Sequence, residues 1–205
     1  MSIRSLLKKH MLVAIGTAVW LSAVGAGARS LLHYANTPGS LASPPVMWPS
    51  AAGDRMATPR DTLLVFAHPQ CPCTRATISE LALIMAQCQG RVRARVYFYA
   101  PATEDAAWVK TRVWQEAAEI PDVEVRQDRD GLESQKFGAS TSGQVLLYDA
   151  AGKLVFNGGI TATRGHAGPN DGEDAVVALL RTGKSSRATA RVFGCSLRIE
   201  EGISR

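Results

Sequence analysis

The hydrophobic pattern divides the chain into stretches of different character. Met11 to Ala28 holds 18 residues without a single charge, rich in Ala, Val, Leu and Gly, with Trp20 inside. A run of that length is at the lower edge of what crosses a bilayer as a helix. It predicts a transmembrane helix over 11–28, or alternatively a signal peptide cut near Ala26-Gly27-Ala28. A buried core helix is the third reading, disfavoured by the terminal position. Residues 29–60 lose the pattern and gain five prolines (Pro38, Pro44, Pro45, Pro49 and Pro59), which predicts an extended linker. Trp48 is placed either on the domain or at a membrane surface.

Periodicity resumes at Asp61. Thr62 to Phe66 reads as a buried strand. After the segment Ala67 to Thr74, Ile78, Leu81, Met85 and Cys88 recur at helical steps on one face, with Gly90 placed to end the helix. Val92, Ala94, Val96 and Phe98 alternate with Arg93, Arg95 and Tyr97, as in a half-buried strand. Glu104 to Ile120 reads as one helix stopped by Pro121, Val123–Val125 as a short strand, and Asp130–Phe137 as a helical turn. Gln144–Tyr148 and Leu154–Phe156 read as strands about the turn at Gly152. Asn170-Asp171 caps a last helix over Glu173–Arg181, and residues 183–205 form a largely polar tail. The domain is therefore expected over 61–182.

Charge adds an orientation. Arg4, Lys8 and Lys9 precede the apolar run and Arg29 follows it, while no Asp or Glu occurs before Asp54. That bias puts a basic segment, residues 1–10, in the cytoplasm and everything after the helix across the inner (cytoplasmic) membrane, in the periplasm. No cysteine stands just after the run to support a lipoprotein anchor. Beyond residue 29 the remaining 19 Lys and Arg face 18 acidic residues. The net +5 is thus a membrane-flank signal, and with no basic stripe interleaved with aromatics no nucleic-acid partner is expected.

An exported chain meets an oxidising compartment, which gives its four cysteines, Cys71, Cys73, Cys88 and Cys195, a context for disulfide chemistry. Four are too few to staple a domain of this size. Cys71 and Cys73 fall where a strand turns into a helix. Unpaired N–H groups and partial positive charge at a helix start favour a thiolate, the species that attacks disulfides. Cys88 lies on the apolar helix face and reads as an inert packing residue. Cys195 stands in the tail beside Val192-Phe193, either incidental, a structural bridge or a resolving cysteine. The segment Gly158–Gly172 carries five glycines and no Walker pattern.

The segment Leu63-Leu-Val-Phe-Ala-His-Pro-Gln-Cys-Pro-Cys-Thr74 resembles the active-site segment of thioredoxin-like proteins, above all the membrane-anchored envelope type. Lys136 to Gly159 is similar to their second signature: an aromatic-Gly turn, the cis-proline site, a strand, a Gly turn and a closing strand. The run Gly158–Gly172 and the late Val192-Phe-Gly-Cys195 look most like the bacterial RedB-type proteins. The resemblance covers about 61–182. It implies an α/β thioredoxin-like fold, a central mixed sheet flanked by helices, after the transmembrane helix and linker. It also implies a catalytic pair, Cys71 and Cys73, acting on protein thiols and disulfides with an electron donor in the envelope. Near-site candidates are His68, Pro72, Thr74, Gly143, Arg164 and His166.

Two departures from the family pattern stand out. The usual CxxC is here Cys71-Pro72-Cys73, with Thr74 at the second-cysteine position, so a Cys71–Cys73 bridge would close a small, strained ring and be oxidising. The cis-proline site falls on Gly143, which leaves space beside the sulfurs.

The sequence thus predicts a periplasm-facing thiol–disulfide oxidoreductase without an organic cofactor. Cys71 attacks, and Cys73 or Cys195 resolves the mixed disulfide. The alternative is a copper carrier of oxidase assembly holding cuprous ion on Cys71, Cys73 and His166. A cysteine peroxidase is a third reading. It calls for a threonine three residues before the cysteine, where this chain has His68 or Gln70. The outward and return strands about Gly152 are of equal length, which predicts that loop 158–172 lands beside the cysteines. Arg164 and His166 would then either tune the sulfurs or face solvent.

Overall fold

The structure is a computed structural model that describes residues 3–41, 43–52 and 60–197, with the end of the expected linker (53–59) and of the tail (198–205) outside them. It divides into two units, one up to Asn36 and one from Thr37.

The first unit is one helix, α1, spanning Ile3–Asn36. It runs past the expected 11–28 because Arg29–Asn36 contains no helix breaker and Pro38 is the first residue that cannot continue. The stretch Lys9–Asn36 has mean hydropathy 1.8 and is long and apolar enough to cross a membrane. Leu12, Val13, Val19, Trp20, Leu31 and Leu32 on it are exposed.

The second unit is built on five strands: β1 (Asp61–Ala67), β2 (Val92–Ala100), β3 (Val123–Arg129), β4 (Gln144–Tyr148) and β5 (Leu154–Gly158). Their order is β3-β2-β1-β4-β5. β1, β2 and β3 are parallel, while β4 is antiparallel to β1 and to β5. The connecting helices are α2 (Pro72–Gln87), α3 (Ala106–Val109), α4 (Arg112–Ala118), α5 (Leu132–Lys136) and α6 (Asp171–Thr182).

Each face of the sheet has its own core. On one, Ile78, Leu81, Ile84 and Met85 of α2 and Val176 and Leu180 of α6 cover Leu63, Val65, Val96 and Phe98. On the other, Phe66, Tyr97, Phe137, Leu146 and Tyr148 pack with Ala52 and with Leu197 from the tail. This second core explains a difference from the sequence pattern. β2 is buried on both faces, because Tyr97 joins the second core and Arg95 pairs with Glu124 at 2.8 Å.

Three further segments differ from expectation. The single helix over 104–120 is two, since Thr111 takes an extended conformation between them. The β-branched Val109, Thr111 and Val113 are weak helix formers. The break lets Trp108 reach His68 and Trp114 reach Phe98.

Residues 46–52, expected as free linker, lie along the domain. The Trp48 N–H donates to the Gly152 carbonyl and the Leu154 N–H to that of Val46. The Trp48 ring stands edge-on to Phe137 and Tyr148, so it belongs to the domain.

The tail folds back too. Residues 188–197 run past β5 and the loop before β4, with the Asn157 N–H bonded to the Ala188 carbonyl and the Leu197 N–H to that of Ser140. Gly158 and Gly159 make this possible. A Cβ at either would sit 2.5–2.6 Å from the tail backbone at Ala190 or Arg191.

Candidate functional site

The site forms where β1 ends and β4 begins. Phe66 pairs with Gln144 across those strands, so the loop after Ala67 and the loop before Gln144 lie side by side. The Gly143 N–H donates to the Phe66 carbonyl at 2.7 Å, and the His68 N–H to the Ser142 hydroxyl at 2.9 Å. Gly143 has φ +91, and a Cβ there would approach Thr77 Oγ1 at 3.0 Å. No cis peptide occurs among the described residues. The space expected beside Gly143 is filled by the tail, with the Phe193 carbonyl 3.8 Å from that Cβ position.

Cys71 is the N-cap of α2, and Pro72, which has no N–H to leave unpaired, takes the first turn. Cys71 and Cys73 are each only 6% exposed. A second sulfur comes to Cys71 from the tail: Cys195 Sγ lies 3.4 Å away. Ser142 donates its N–H to the Cys195 carbonyl at 2.8 Å, and Thr141 and Ser196 form an antiparallel bridge. Cys73, two residues on, also reaches the Cys71 sulfur, its thiol hydrogen-bonded to Cys71. The structure therefore gathers the sulfurs of Cys71, Cys73 and Cys195 at one place.

The three thiols differ in acidity. Burial acts to raise Cys71. The Cys195 N–H and thiol, the Cys73 N–H and the Ser142 hydroxyl outweigh it, and Cys71 ends below the ordinary thiol value. Cys73 is raised by burial, by the charge of Cys71 and by its hydrogen bond to Cys71, against Arg164 and the Gly165 N–H. Cys195 is pushed up to about 11, first by burial, then by its hydrogen bond to Cys71. Cys71 is thus made more acidic than an ordinary thiol, while the two thiols beside it are made less so.

Ser142 is a residue the sequence pattern did not single out. It is fully buried, and its oxygen accepts from His68 N–H. Thr74 gives its one hydroxyl proton to the His68 carbonyl at 2.8 Å, and Thr74 Oγ1 is 3.1 Å from Ser142 Oγ. Ser142 therefore has one proton to direct either to Thr74 or to the Cys71 sulfur.

Loop 158–172 lies at the sulfurs. Gly165 reaches Cys73 with its N–H. Arg164 donates from Nη1 to the Gly194 carbonyl at 2.6 Å and from Nε to that of Thr37 at 3.1 Å, so it clips the tail while lending positive charge to Cys73 and Cys195. The loop is pinned from beneath by Glu80, another residue the sequence did not single out. Glu80 is fully buried on α2 and accepts from the Gly168 N–H.

The two candidate histidines, His68 and His166, keep their rings apart from this chemistry. His68 stacks on Tyr99 and meets the edge of Trp108, and burial lowers its pKa. Its Nδ1 accepts from the Gln70 N–H at 3.2 Å, which fixes a neutral ring with the proton on Nε2. His166 is exposed, with Nδ1 2.8 Å from the Arg164 carbonyl. Among the described residues no group of three His, Cys, Asp or Glu is placed to hold a metal ion.

No family model and no curated protein matches the sequence. Solved structures do match. An uncharacterized conserved protein from Geobacillus kaustophilus aligns with TM-score 0.57 at 17% identity, over 82% of this chain and 94% of its own. A hypothetical protein from Sinorhizobium meliloti 1021 aligns with TM-score 0.54 at 21% identity, over 81% of this chain and 96% of its own. A secreted Mycobacterium tuberculosis disulfide oxidoreductase is more distant, with TM-score 0.41 and 14% identity over 60% of this chain and 81% of its own. The strand order β3-β2-β1-β4-β5, with β4 alone running antiparallel to the rest, and a helix after each of β1 and β2 make this a thioredoxin-like fold.

Proposed function

We propose that the chain is a thiol–disulfide oxidoreductase acting on protein thiols and disulfides, with Cys71 as the attacking thiolate and Cys195 as the cysteine that resolves the mixed disulfide. The observation that carries this reading is the pair itself. Cys71 Sγ and Cys195 Sγ are 3.4 Å apart, the first thiol shifted down and the second up to about 11. A depressed thiol attacks and a neighbouring neutral thiol waits to close the ring. Cys73, raised and buried, supports the Cys71 thiolate through its N–H and its thiol.

In this reading α1 holds the domain at the outer face of the cytoplasmic membrane, as an uncleaved anchor. The basic residues Arg4, Lys8 and Lys9 ahead of the apolar run support that orientation. A reporter active only in the cytoplasm, fused after residue 60, is expected to stay silent. Electrons reach the site from an envelope dithiol.

The test is a redox titration in glutathione buffers, read by alkylation and mass spectrometry. One two-electron couple is expected in the parent, lost in Cys71→Ser and in Cys195→Ser and kept in Cys73→Ser. A couple that survives in Cys195→Ser but not in Cys73→Ser overturns the assignment.

A further inference from the structure

The chain between β5 and α6 runs along one face of α2. Cys73, Glu80 and Gln87 recur there at seven-residue steps, about two helical turns each, and so lie in one row. Three groups come against that row in order. The Gly165 N–H reaches Cys73, the Gly168 N–H donates to Glu80 Oε1, and Glu173 Oε1 accepts from Gln87 Nε2 at 3.2 Å. Gly168 presents its N–H at φ +134, a conformation that a side chain would strain. Three residues separate the hold at Glu80 from the N–H at Cys73, and Arg164 stands next to Gly165. A shift at Gly168 therefore reaches both groups that act to lower the Cys73 pKa.

Glu80 is fully buried, and its second oxygen, Oε2, meets no hydrogen-bond donor among the described residues. An ionised carboxyl left in that state is costly. The group that faces it is another carboxyl. Glu173 lines the same cavity between α2 and α6. Burial first, then the charge and hydrogen bond of Glu80, raise the Glu173 pKa above the ordinary glutamate value. Two carboxylates are both acceptors, so their contact is a hydrogen bond only with one proton between them, a proton that belongs to the pair. The surrounding charges do not replace it. Asp174 on α6 adds negative charge, and Gln87 offers Glu173 one donor. Arg181, the basic residue on the cavity wall, gives its Nη2 to the Gln87 carbonyl at 3.3 Å. His166 on the loop keeps Nδ1 at the Arg164 carbonyl.

We infer that Glu80 is a positioning residue of the redox site, and that a proton shared with Glu173 holds loop 158–172 against α2. With the proton present, Glu80 stays buried, Gly168 stays docked, and Gly165 and Arg164 stay at the sulfurs. When the proton leaves, two like charges face each other in a buried place. Glu80 then turns to solvent and gives up the Gly168 N–H. The loop lifts, and Cys73 loses both the Gly165 N–H and the Arg164 charge. Because burial and Glu80 raise Glu173, the hold is complete below the ordinary carboxylate range and is lost as pH rises through the raised value. The inference rests on the thiol–disulfide reading above and adds proton-dependent control to that site.

The test is amide hydrogen exchange of the full chain in a series from mildly acidic to mildly alkaline pH, each rate referred to an unstructured peptide at the same pH. In the parent, protection of the Gly165 and Gly168 N–H groups is expected to fall about tenfold or more across the series, as the docked state turns from major to minor. Glu80→Gln keeps an acceptor for Gly168 and offers Glu173 a donor that does not titrate. Glu173→Gln offers the same donor to Glu80. Both variants are expected to stay protected at every pH, and Glu80→Ala to be unprotected at every pH. The second readout is Cys73 itself, by residue-resolved alkylation, whose pH midpoint reports the acidity of the thiol and not its access. That midpoint is expected to lie higher in Glu80→Ala than in Glu80→Gln. Constant protection in the parent overturns the shared proton, as does a fall that persists in both Gln variants. Equal Cys73 midpoints in Glu80→Ala and Glu80→Gln overturn the positioning role. If Glu80→Ala does not fold, the parent and the two Gln variants still decide. None of these measurements requires disulfide exchange, so each result leaves the thiol–disulfide reading to its own redox titration.

Discussion

The two ends of α2 each carry a cysteine, and the pair shows how position on one helix sets the chemistry of one side chain. Cys71 is the N-cap, with the Cys73 and Cys195 N–H groups and the Ser142 hydroxyl turned toward its sulfur. Cys88 is the C-cap, 1% exposed and packed with Leu81, Ile84 and Val92 in the first core. Burial raises both thiols. At Cys71 the hydrogen-bond donors outweigh it, and at Cys88 the modest positive influence of Arg181 and Arg91 does not. Burial alone therefore makes an inert cysteine. Burial combined with converging donors makes a nucleophile.

The largest effect expected from breaking this comparison is at the N-terminal end. Cys71→Ser is expected to lower exchange with a peptide disulfide about a thousandfold or more, because it removes the nucleophile itself. Cys88→Ala is expected to leave that rate unchanged and to cost about 1–3 kcal/mol of stability in urea titrations, from a small cavity in the first core. A comparable loss of exchange in Cys88→Ala would erase the contrast.

Cys195→Ser comes next. The first attack survives and the mixed disulfide accumulates, so turnover falls while attachment persists, as seen by intact-protein mass spectrometry. Ser142→Ala sharpens the electrostatic side. It removes one donor from the Cys71 thiolate and leaves the His68 N–H without its acceptor. The Cys71 pKa is expected to rise, with about 1–3 kcal/mol of stability lost to the unpaired amide.

The smallest effect is a difference in pH profile. An alkylating agent reacts with thiolate, so each rate climbs as pH rises through the thiol's own pKa. Cys71, shifted down, is expected to reach half its maximal rate below the ordinary thiol range, and Cys88, shifted up, above it. Residue-resolved alkylation across a pH series reads both from one sample. The reverse order would break the comparison.

Much of this was legible in the sequence, for local reasons. The Thr62–Phe66 run, the steps Ile78, Leu81, Met85 and Cys88, and the strands about Gly152 are short-range patterns that the fold keeps as β1, α2, β4 and β5. Less legible was what long-range packing decided. Arg95 and Tyr97 looked like the wet face of β2, yet both are buried because the second core and Glu124 cover them. The linker and the tail lack periodicity, so Trp48 stayed open between the domain and a membrane surface, and nothing marked Leu197 for its place beside Phe66. Cys195 was visible as a candidate, but its 124-residue separation from Cys71 hid the contact. Gly158-Gly159 was the available signal: two adjacent glycines after a closing strand can mark a place where another backbone comes close.

The central claim is that the tail supplies the partner of Cys71. The most direct test is to oxidise the native protein with limiting diamide, block the remaining thiols, digest without reduction and identify the linked peptides. A Cys71–Cys195 link, with Cys73 and Cys88 alkylated, is the predicted result. A Cys71–Cys73 link with Cys195 alkylated would contradict it.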